Sequence, residues 1–164
     1  MTPQEWVFAF LAVTGAVGAV RLVTSKNVIH AALYLVVALS AVGGIYLLLG
    51  TEFVAWTQIL IYVGAIVVLL LFSLMLTRAP IGREALDNQQ RGTALVVALA
   101  IFAGLSLLLL EAFPLAETIH VEPTFTADIG LRMFSTFVLP FEVVSFLLLA
   151  ALIGAIMLAR KDEA

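Results

Sequence analysis

The sequence predicts an all-α integral membrane protein with five transmembrane helices. Its 164 residues are 63% hydrophobic and only 12% charged, and their mean hydropathy is +1.18, whereas soluble domains are about half apolar and a quarter charged. The apolar residues are gathered in five runs, each able to cross ~30 Å of hydrocarbon at ~1.5 Å per residue. The absence of cysteine excludes disulfides and thiolate metal sites built by this chain. We interpret 1–164 as a single membrane domain.

Start and stop signals place the first two helices. Thr2, Pro3 and Glu5 form the pattern of a capping box with proline at the first helical position. No basic region of a signal peptide precedes the first run, so we expect that run to be retained. Asn27 is a candidate cap for the second helix, and Gly50 is a candidate stop. The predicted helices span about 3–23, 28–49, 53–77, 93–113 and a fifth that ends at 159.

Two connections between the predicted helices matter for the fold. The second and third helices are joined by the short "GTE" at 50–52, which makes them antiparallel neighbours. The start of the fifth helix is open between Met133 and Pro140. The stretch "DIGLRMF" at 128–134 could lie as a short amphipathic turn on the outer surface.

Basic residues predict the orientation of the chain. Seven of the eight Lys and Arg residues fall on one side of a five-helix topology, and only Arg132 falls on the other. The positive-inside rule therefore places the N-terminus outside (in the periplasm) and the C-terminus in the cytoplasm. The seven are Arg21, Lys26, Arg78, Arg83, Arg91, Arg160 and Lys161.

The third helix holds the most informative intramembrane polar groups, because unsatisfied polar groups in hydrocarbon are costly. Tyr62 would lie ~14 Å deep, where its phenol needs a partner from another helix, another subunit or water. Gly64, which lies within one turn of Tyr62, could permit a π-bulge or only close helix packing. Similar packing is expected of the glycine pairs at 15/18 and 43/44. Helical spacing places on one face Gln58, Tyr62, Ala65, Leu69 and Phe72.

Two further titratable residues have open interpretations. If the fifth helix starts near Met133, Glu142 lies near the midplane and marks a proton relay. If it starts at Pro140, Glu142 lies in the first turn and complements the helix dipole at the outer interface. His30 follows the turn between the first two helices and is either an interfacial side chain or a proton shuttle.

The motif "LGTEFVAWTQILIYVGAIVVLLLF" at 49–72, within a longer match over 26–77, resembles the J subunit of bacterial NADH–quinone oxidoreductase (respiratory complex I). That subunit is the counterpart of mitochondrial NADH dehydrogenase subunit 6. A second match is "LPFEVVSFLLLAALIGAIMLA" at 139–159.

The resemblance implies a specific role in the membrane arm of such a complex. This chain would bind no cofactor, and NADH, FMN, iron–sulfur clusters and quinone would be held by other subunits. Its third helix would carry a π-bulge at Tyr62, Val63 and Gly64 and gate the coupling of quinone reduction to proton translocation. Its partners would be other membrane-arm subunits and the lipid bilayer of the cell inner (plasma) membrane, and nucleic acid would not be among them.

Two other functions remain open at this point. One is a small membrane subunit of a multisubunit sodium/proton antiporter, which lacks redox coupling. The other is a purely structural scaffold, in which every polar group serves packing. The candidate gating or proton-path residues are Gln58, Tyr62, Val63, Gly64 and Glu142.

Overall fold

The computed structural model describes residues 2–77, 90–113 and 123–160, and nearly all of them are helical. Among these residues, five helices are long and apolar enough to cross a membrane, which confirms the predicted number. The ends of the first four lie within two residues of their predicted positions. The loop that contains Arg78 and Arg83 lies outside the described residues. In chain order the helices are α1 Pro3–Thr24, α2 Val28–Leu48, α3 Glu52–Leu76, α4 Arg91–Ala112, α5 Thr126–Ser135 and α6 Val138–Ala159.

Local side chains set the starts of α1 and α2. The hydroxyl of Thr2 accepts a hydrogen bond from the amide of Glu5 at 3.4 Å, and the Glu5 carboxylate accepts one from the amide of Thr2 at 3.1 Å. Pro3 occupies the first turn, where its missing amide proton costs nothing. Asn27 caps α2, because its Oδ1 accepts a hydrogen bond from the amide of Ile29 at 2.9 Å. Both predicted caps are confirmed.

Small residues bring α1 and α2 into close contact. A Cβ on Gly18 would lie 3.1 Å from the backbone nitrogen of Ala38 and 3.3 Å from the carbonyl oxygen of Tyr34. A Cβ on Gly15 would lie 3.2 Å from the Cβ of Ala41. The two helix backbones can approach this closely only because these side chains are absent or small. The predicted packing role of this glycine pair is confirmed.

Adjacent glycines of α2 face two different helices. A Cβ on Gly44 would lie 3.0 Å from Cδ2 of Leu11 in α1, and a Cβ on Gly43 would lie 2.7 Å from Cδ1 of Ile59 in α3. Because successive residues of a helix are ~100° apart, the pair serves two neighbours at one level. α2 therefore packs between α1 and α3.

The turn between α2 and α3 is covered by the segment that leads into α5. Gly50 has a φ of +71°, a left-handed conformation that favours glycine. Its carbonyl accepts a hydrogen bond from the amide of Thr124 at 3.1 Å, and Thr51 forms an isolated parallel β-bridge with the same residue. A Cβ on Gly50 would also lie 3.2 Å from the Cα of Pro123. Two connections that are distant in sequence therefore meet at this end of the molecule.

The residues before the fifth spanning helix form a separate helix. The predicted turn at 128–134 lies inside the ten-residue α5, which ends at Ser135. α6 starts at Val138, so a continuous helix from Met133 is wrong and the start near Pro140 is correct to two residues. Proline is tolerated there because the first turn of a helix has no intrahelical amide partner to lose.

α4 and α6 expose apolar side chains on all sides. Among the described elements, α4 packs against none and α6 packs only against α5. The rings of Phe134 and Phe141 join these last two helices edge to face, with centroids 5.1 Å apart and planes at 65°. Since these surfaces are almost wholly hydrocarbon, lipid or other protein chains must cover them.

Candidate functional site

The middle of α3 is a π-helix. Residues Gln58–Val67 form this ten-residue π segment, between the α-helical pieces Glu52–Thr57 and Val68–Leu76. Its backbone bonds join residues five apart instead of four, which widens each turn. Such π turns are rare and often lie at functional sites. The segment contains Tyr62, Val63 and Gly64, the positions at which the resemblance implies a bulge.

The π winding changes which side chains face α2. Gln58 is 9% exposed and Val67 is fully buried, and α2 is the only other helix that packs against the π segment among the described elements. Nine residues apart, the two would lie ~180° from each other in an α-helix. The wider turns bring both onto the side of α2. The π segment therefore keeps the second half of α3 packed on α2 through Val67.

Gln58 marks the start of the π segment and faces protein. Its side-chain amide nitrogen donates a hydrogen bond to the carbonyl oxygen of Leu39 in α2 at 3.4 Å. Gly43 lies beside this contact, because a Cβ there would be at the ordinary van der Waals distance of 3.6 Å from Cγ of Gln58. A buried amide in a membrane helix needs such a partner. The hydrogen bond ties the start of the π segment to a fixed point on α2.

Gly64 does not contact another described helix. Apart from its adjacent turns, the only atom within 4 Å of a Cβ placed there is the carbonyl oxygen of Ile59, at 3.5 Å. That distance is an ordinary van der Waals contact, so one methyl group fits. Close packing against a helix of this chain is therefore not the reason for glycine at this position within the described residues.

The predicted shared face of α3 is wrong at Gln58, which is buried while the other four residues are exposed. Gln58 is buried, whereas Tyr62 is 47% exposed. Ala65, Leu69 and Phe72 are also exposed. The prediction used the angular step of an α-helix, which the π segment does not follow. Within the described part of the chain, the Tyr62 phenol has no hydrogen-bond partner, so it points out of this chain toward whatever covers α3.

Glu142 and His30 lie near helix starts. Glu142 is the fifth residue of α6 and is exposed, ~6 Å along the axis from Val138. This position is shallower than a helix from Met133 would give. His30 is the third residue of α2 and is also exposed. Among the described residues, no three His, Asp or Glu side chains come together in a way that could hold a metal ion.

Comparison with known proteins assigns the family. Residues 18–158 match the family described as NADH-ubiquinone/plastoquinone oxidoreductase chain 6. The chain belongs to this chain 6 family. It is 41% identical to NAD(P)H-quinone oxidoreductase chain 6 of Leptolyngbya boryana, over 94% of this chain and 79% of the relative. It is 37% identical to the chloroplastic subunit 6 of NAD(P)H-quinone oxidoreductase of Mesostigma viride, over 98% of this chain and 86% of the relative.

Another relative is a subunit of an enzyme named for a different electron donor. The chain is 38% identical to F(420)H(2) dehydrogenase subunit J of Methanosarcina mazei, over 95% of this chain and 90% of the relative. Since these shares cover most of each protein, the similarity extends to the whole subunit and is not confined to one motif.

Sequence reasoning missed the stripe of this chain 6 protein that faces α2. Its members recur every fourth residue and are all buried or half-buried: Ala55, Ile59, Val63, Val67 and Leu71. A strict spacing of four is a signal of wider winding, because an α-helix would carry such a stripe around its axis. The signal was hidden, since nearly every residue between these positions is also apolar.

Proposed function

We propose that this chain is a non-catalytic membrane subunit of a proton-translocating quinone oxidoreductase, and that α3 gates a proton path beside it. Membership of the chain 6 family supports the assignment to such a complex. Relatives of similar identity are named for NAD(P)H and for F(420)H(2), which supports a role that does not depend on the electron donor. NADH or its equivalent, FMN, iron–sulfur clusters and quinone are then bound by other subunits.

The observation that carries the gating proposal is the π segment with an outward phenol at its centre. If the whole segment rewinds to an α-helix, the residues after it turn by roughly 180°. The start of the segment cannot follow, because Gln58 is bonded to Leu39. Rewinding therefore moves Tyr62 and the residues beyond it relative to α2, and changes what the phenol offers to neighbouring water or protein.

The charge pattern supports a place and an orientation for the subunit. Lys and Arg concentrate at one end of the spanning helices, which favours the N-terminus outside and the C-terminus in the cytoplasm of a cell whose inner (plasma) membrane holds the complex. Glu142 then lies near the outer surface, just past the first turn of α6, and stands outside the proposed gate. An antiporter subunit would co-purify without iron–sulfur subunits, and that is the simplest discriminating observation.

The test is a graded series at Gly64 in the assembled complex. Gly64→Ala should retain proton pumping, because the methyl group meets only the Ile59 carbonyl at 3.5 Å. Gly64→Val adds two γ-carbons beside that carbonyl. An off-rotamer strain of about 1 kcal/mol then shifts the equilibrium between the π-helical and α-helical forms of the segment roughly fivefold. We expect fewer protons pumped per electron with assembly intact.

The matched control is Gly104→Val in α4, where nothing lies within 4 Å of a Cβ. It makes the same chemical change in a spanning helix that lacks the π segment, and it should leave pumping unchanged. Normal pumping by an assembled Gly64→Val complex would refute the gate. If that variant instead lost quinone reduction and pumping in equal proportion, α3 would be part of the scaffold and not a coupling element.

A further inference from the structure

An open cavity with basic and polar side chains in its lining lies at the turn between α1 and α2, and the proposed function does not use it. The cavity has a volume of about 320 Å³ and is lined in part by Arg21, Lys26, Asn27, His30 and Tyr34. α1 ends at Thr24 and α2 begins at Val28. Because both helices are long enough to span a membrane, the turn between them lies at the level of the lipid headgroups.

The cavity is cationic, and no described acid balances it. Arg21 and Lys26 are both exposed, and neither forms an ion pair within the described part of the chain. Since successive spanning helices alternate in direction, the five described acidic residues all fall at the opposite end of the helices. These are Glu5, Glu52, Glu111, Asp128 and Glu142.

The hydrogen-bond donors of the cavity suit a phosphate. The hydroxyls of Thr24 and Ser25 already donate to the carbonyls of Val20 and Asn27, at 2.8 and 3.0 Å. The donors left for a ligand include the Arg21 guanidinium, the Lys26 ammonium and the Asn27 side-chain amide, and the side chains of His30 and Tyr34 line the same cavity. Arg21 and Lys26 line the same cavity, and a guanidinium and an ammonium are the usual partners of a phosphodiester, the first as a planar fork and the second as a point charge.

An apolar groove continues from the same arginine. A second cavity of about 250 Å³ is lined only by apolar atoms of Ala16, Val17, Val20 and Arg21. These residues precede the turn in α1, so the groove runs from the headgroup level toward the membrane interior. Arg21 belongs to both cavities and presents its aliphatic stem to one and its charge to the other.

We propose that the two cavities form one site, the lipid cleft (Ala16, Val17, Val20, Arg21, Lys26 and Asn27), which binds a single anionic phospholipid. The phosphate lies between Arg21 and Lys26, and one acyl chain follows the groove along α1. A basic pocket between spanning helices at the membrane surface is suited to an anionic headgroup, and the adjoining groove selects a lipid over a free anion. The lipid fills the open side of the α1–α2 pair.

The experiment uses the complete complex purified from its native membrane and reconstituted with a photoreactive probe. The probe is a phosphatidylglycerol with a diazirine halfway along one acyl chain, and the comparison lipid is the phosphatidylcholine with the same chain. Peptide mapping should find phosphatidylglycerol attached within residues 16–21. The double variant Arg21→Gln/Lys26→Gln should reduce this labelling roughly 10- to 30-fold, about fivefold for each charge.

Controls separate the lipid cleft from simple charge loss and from a free-anion site. Arg160→Gln removes one charge from an exposed residue at the same end of the helices and should leave labelling of 16–21 unchanged. If the double variant does not assemble, Lys26→Gln alone, in the exposed turn, should reduce labelling about fivefold. Equal labelling by phosphatidylcholine, undiminished labelling in the variants, or full competition by inorganic phosphate would each overturn the proposal.

Discussion

The side-chain amide of Gln58 donates a hydrogen bond to the backbone carbonyl of Leu39, with the two atoms 3.4 Å apart. This bond joins the first residue of the π segment to the middle of α2. Since the helix beyond the segment packs on α2 only through apolar contacts, the two halves of α3 are held in different ways. The first half is held to α2 by a directional bond, and the second by apolar contacts alone.

Gln58→Leu should loosen the π segment without preventing assembly. Leucine is of similar size, and the Leu39 carbonyl still accepts within the ladder of α2. The loss is therefore one interhelical hydrogen bond, about 1 kcal/mol or less in a membrane. Hydrogen–deuterium exchange of the complex should be up to about fivefold faster across residues 58–67.

Thr57→Val is the matched control for Gln58→Leu, because the Thr57 hydroxyl bonds to Phe53 in its own helix, at 2.8 Å. Equal exchange in the two variants would contradict the role of Gln58.

Gly43→Leu should disrupt the contact between α2 and α3, and Ile59→Ala should restore it. A Cβ on Gly43 already lies 2.7 Å from Cδ1 and 3.1 Å from Cγ1 of Ile59, so a larger side chain must displace that residue. Overpacking of this kind costs about 1–3 kcal/mol. The amount of this chain in the purified complex should fall in the single variant and recover in the double variant. Gly154→Leu in α6, where nothing lies within 4 Å of a Cβ, is the control. Additive losses in the double variant would show that the two residues are not coupled.

Tyr62→Phe should slow turnover while leaving stability unchanged. The phenol forms no hydrogen bond within the described part of the chain, so its removal costs this chain no internal contact. If it orders water or bonds to a neighbouring subunit, the loss of about 0.5–1.5 kcal/mol lowers the pumping rate roughly 2- to 12-fold. Tyr46→Phe, at a half-buried position in the last turn of α2, should have no such effect. Unchanged pumping and quinone reduction in Tyr62→Phe would show that the hydroxyl has no functional role and that this residue serves only packing.

The helix boundaries could be predicted because their signals are local. Thr2, Glu5 and Asn27 act on amides two or three residues away, and the glycines at 15/18 and 43/44 indicate close packing through their size alone. The start of α6 was harder to predict, because Phe134 and Phe141 meet across a break that no glycine marks.

The orientation of side chains on α3 could not be predicted for a different reason. Every angular prediction assumed ~100° per residue, and the π segment breaks that assumption in the stretch where the functional residues lie. The environment of Gln58 depends on the carbonyl of Leu39, which no side-chain pattern reveals. Val67 is fully buried and looks in sequence like each of its exposed neighbours.

The most direct test of the gate is the distance between spin labels on the two halves of α3 and a reference on α1. Phe72→Cys and Phe53→Cys would each be paired with Val13→Cys. All three residues are exposed, and this chain has no cysteine of its own. The complex without the substitutions, treated with the same spin label, is the background, because subunits that hold iron–sulfur clusters carry cysteines. Between the resting complex and the complex trapped during turnover with electron donor and quinone, we expect the distance to Phe72 to change by on the order of 5 Å. The distance to Phe53 should stay constant. Identical distances for both pairs in the two states of a pumping complex would contradict the gate.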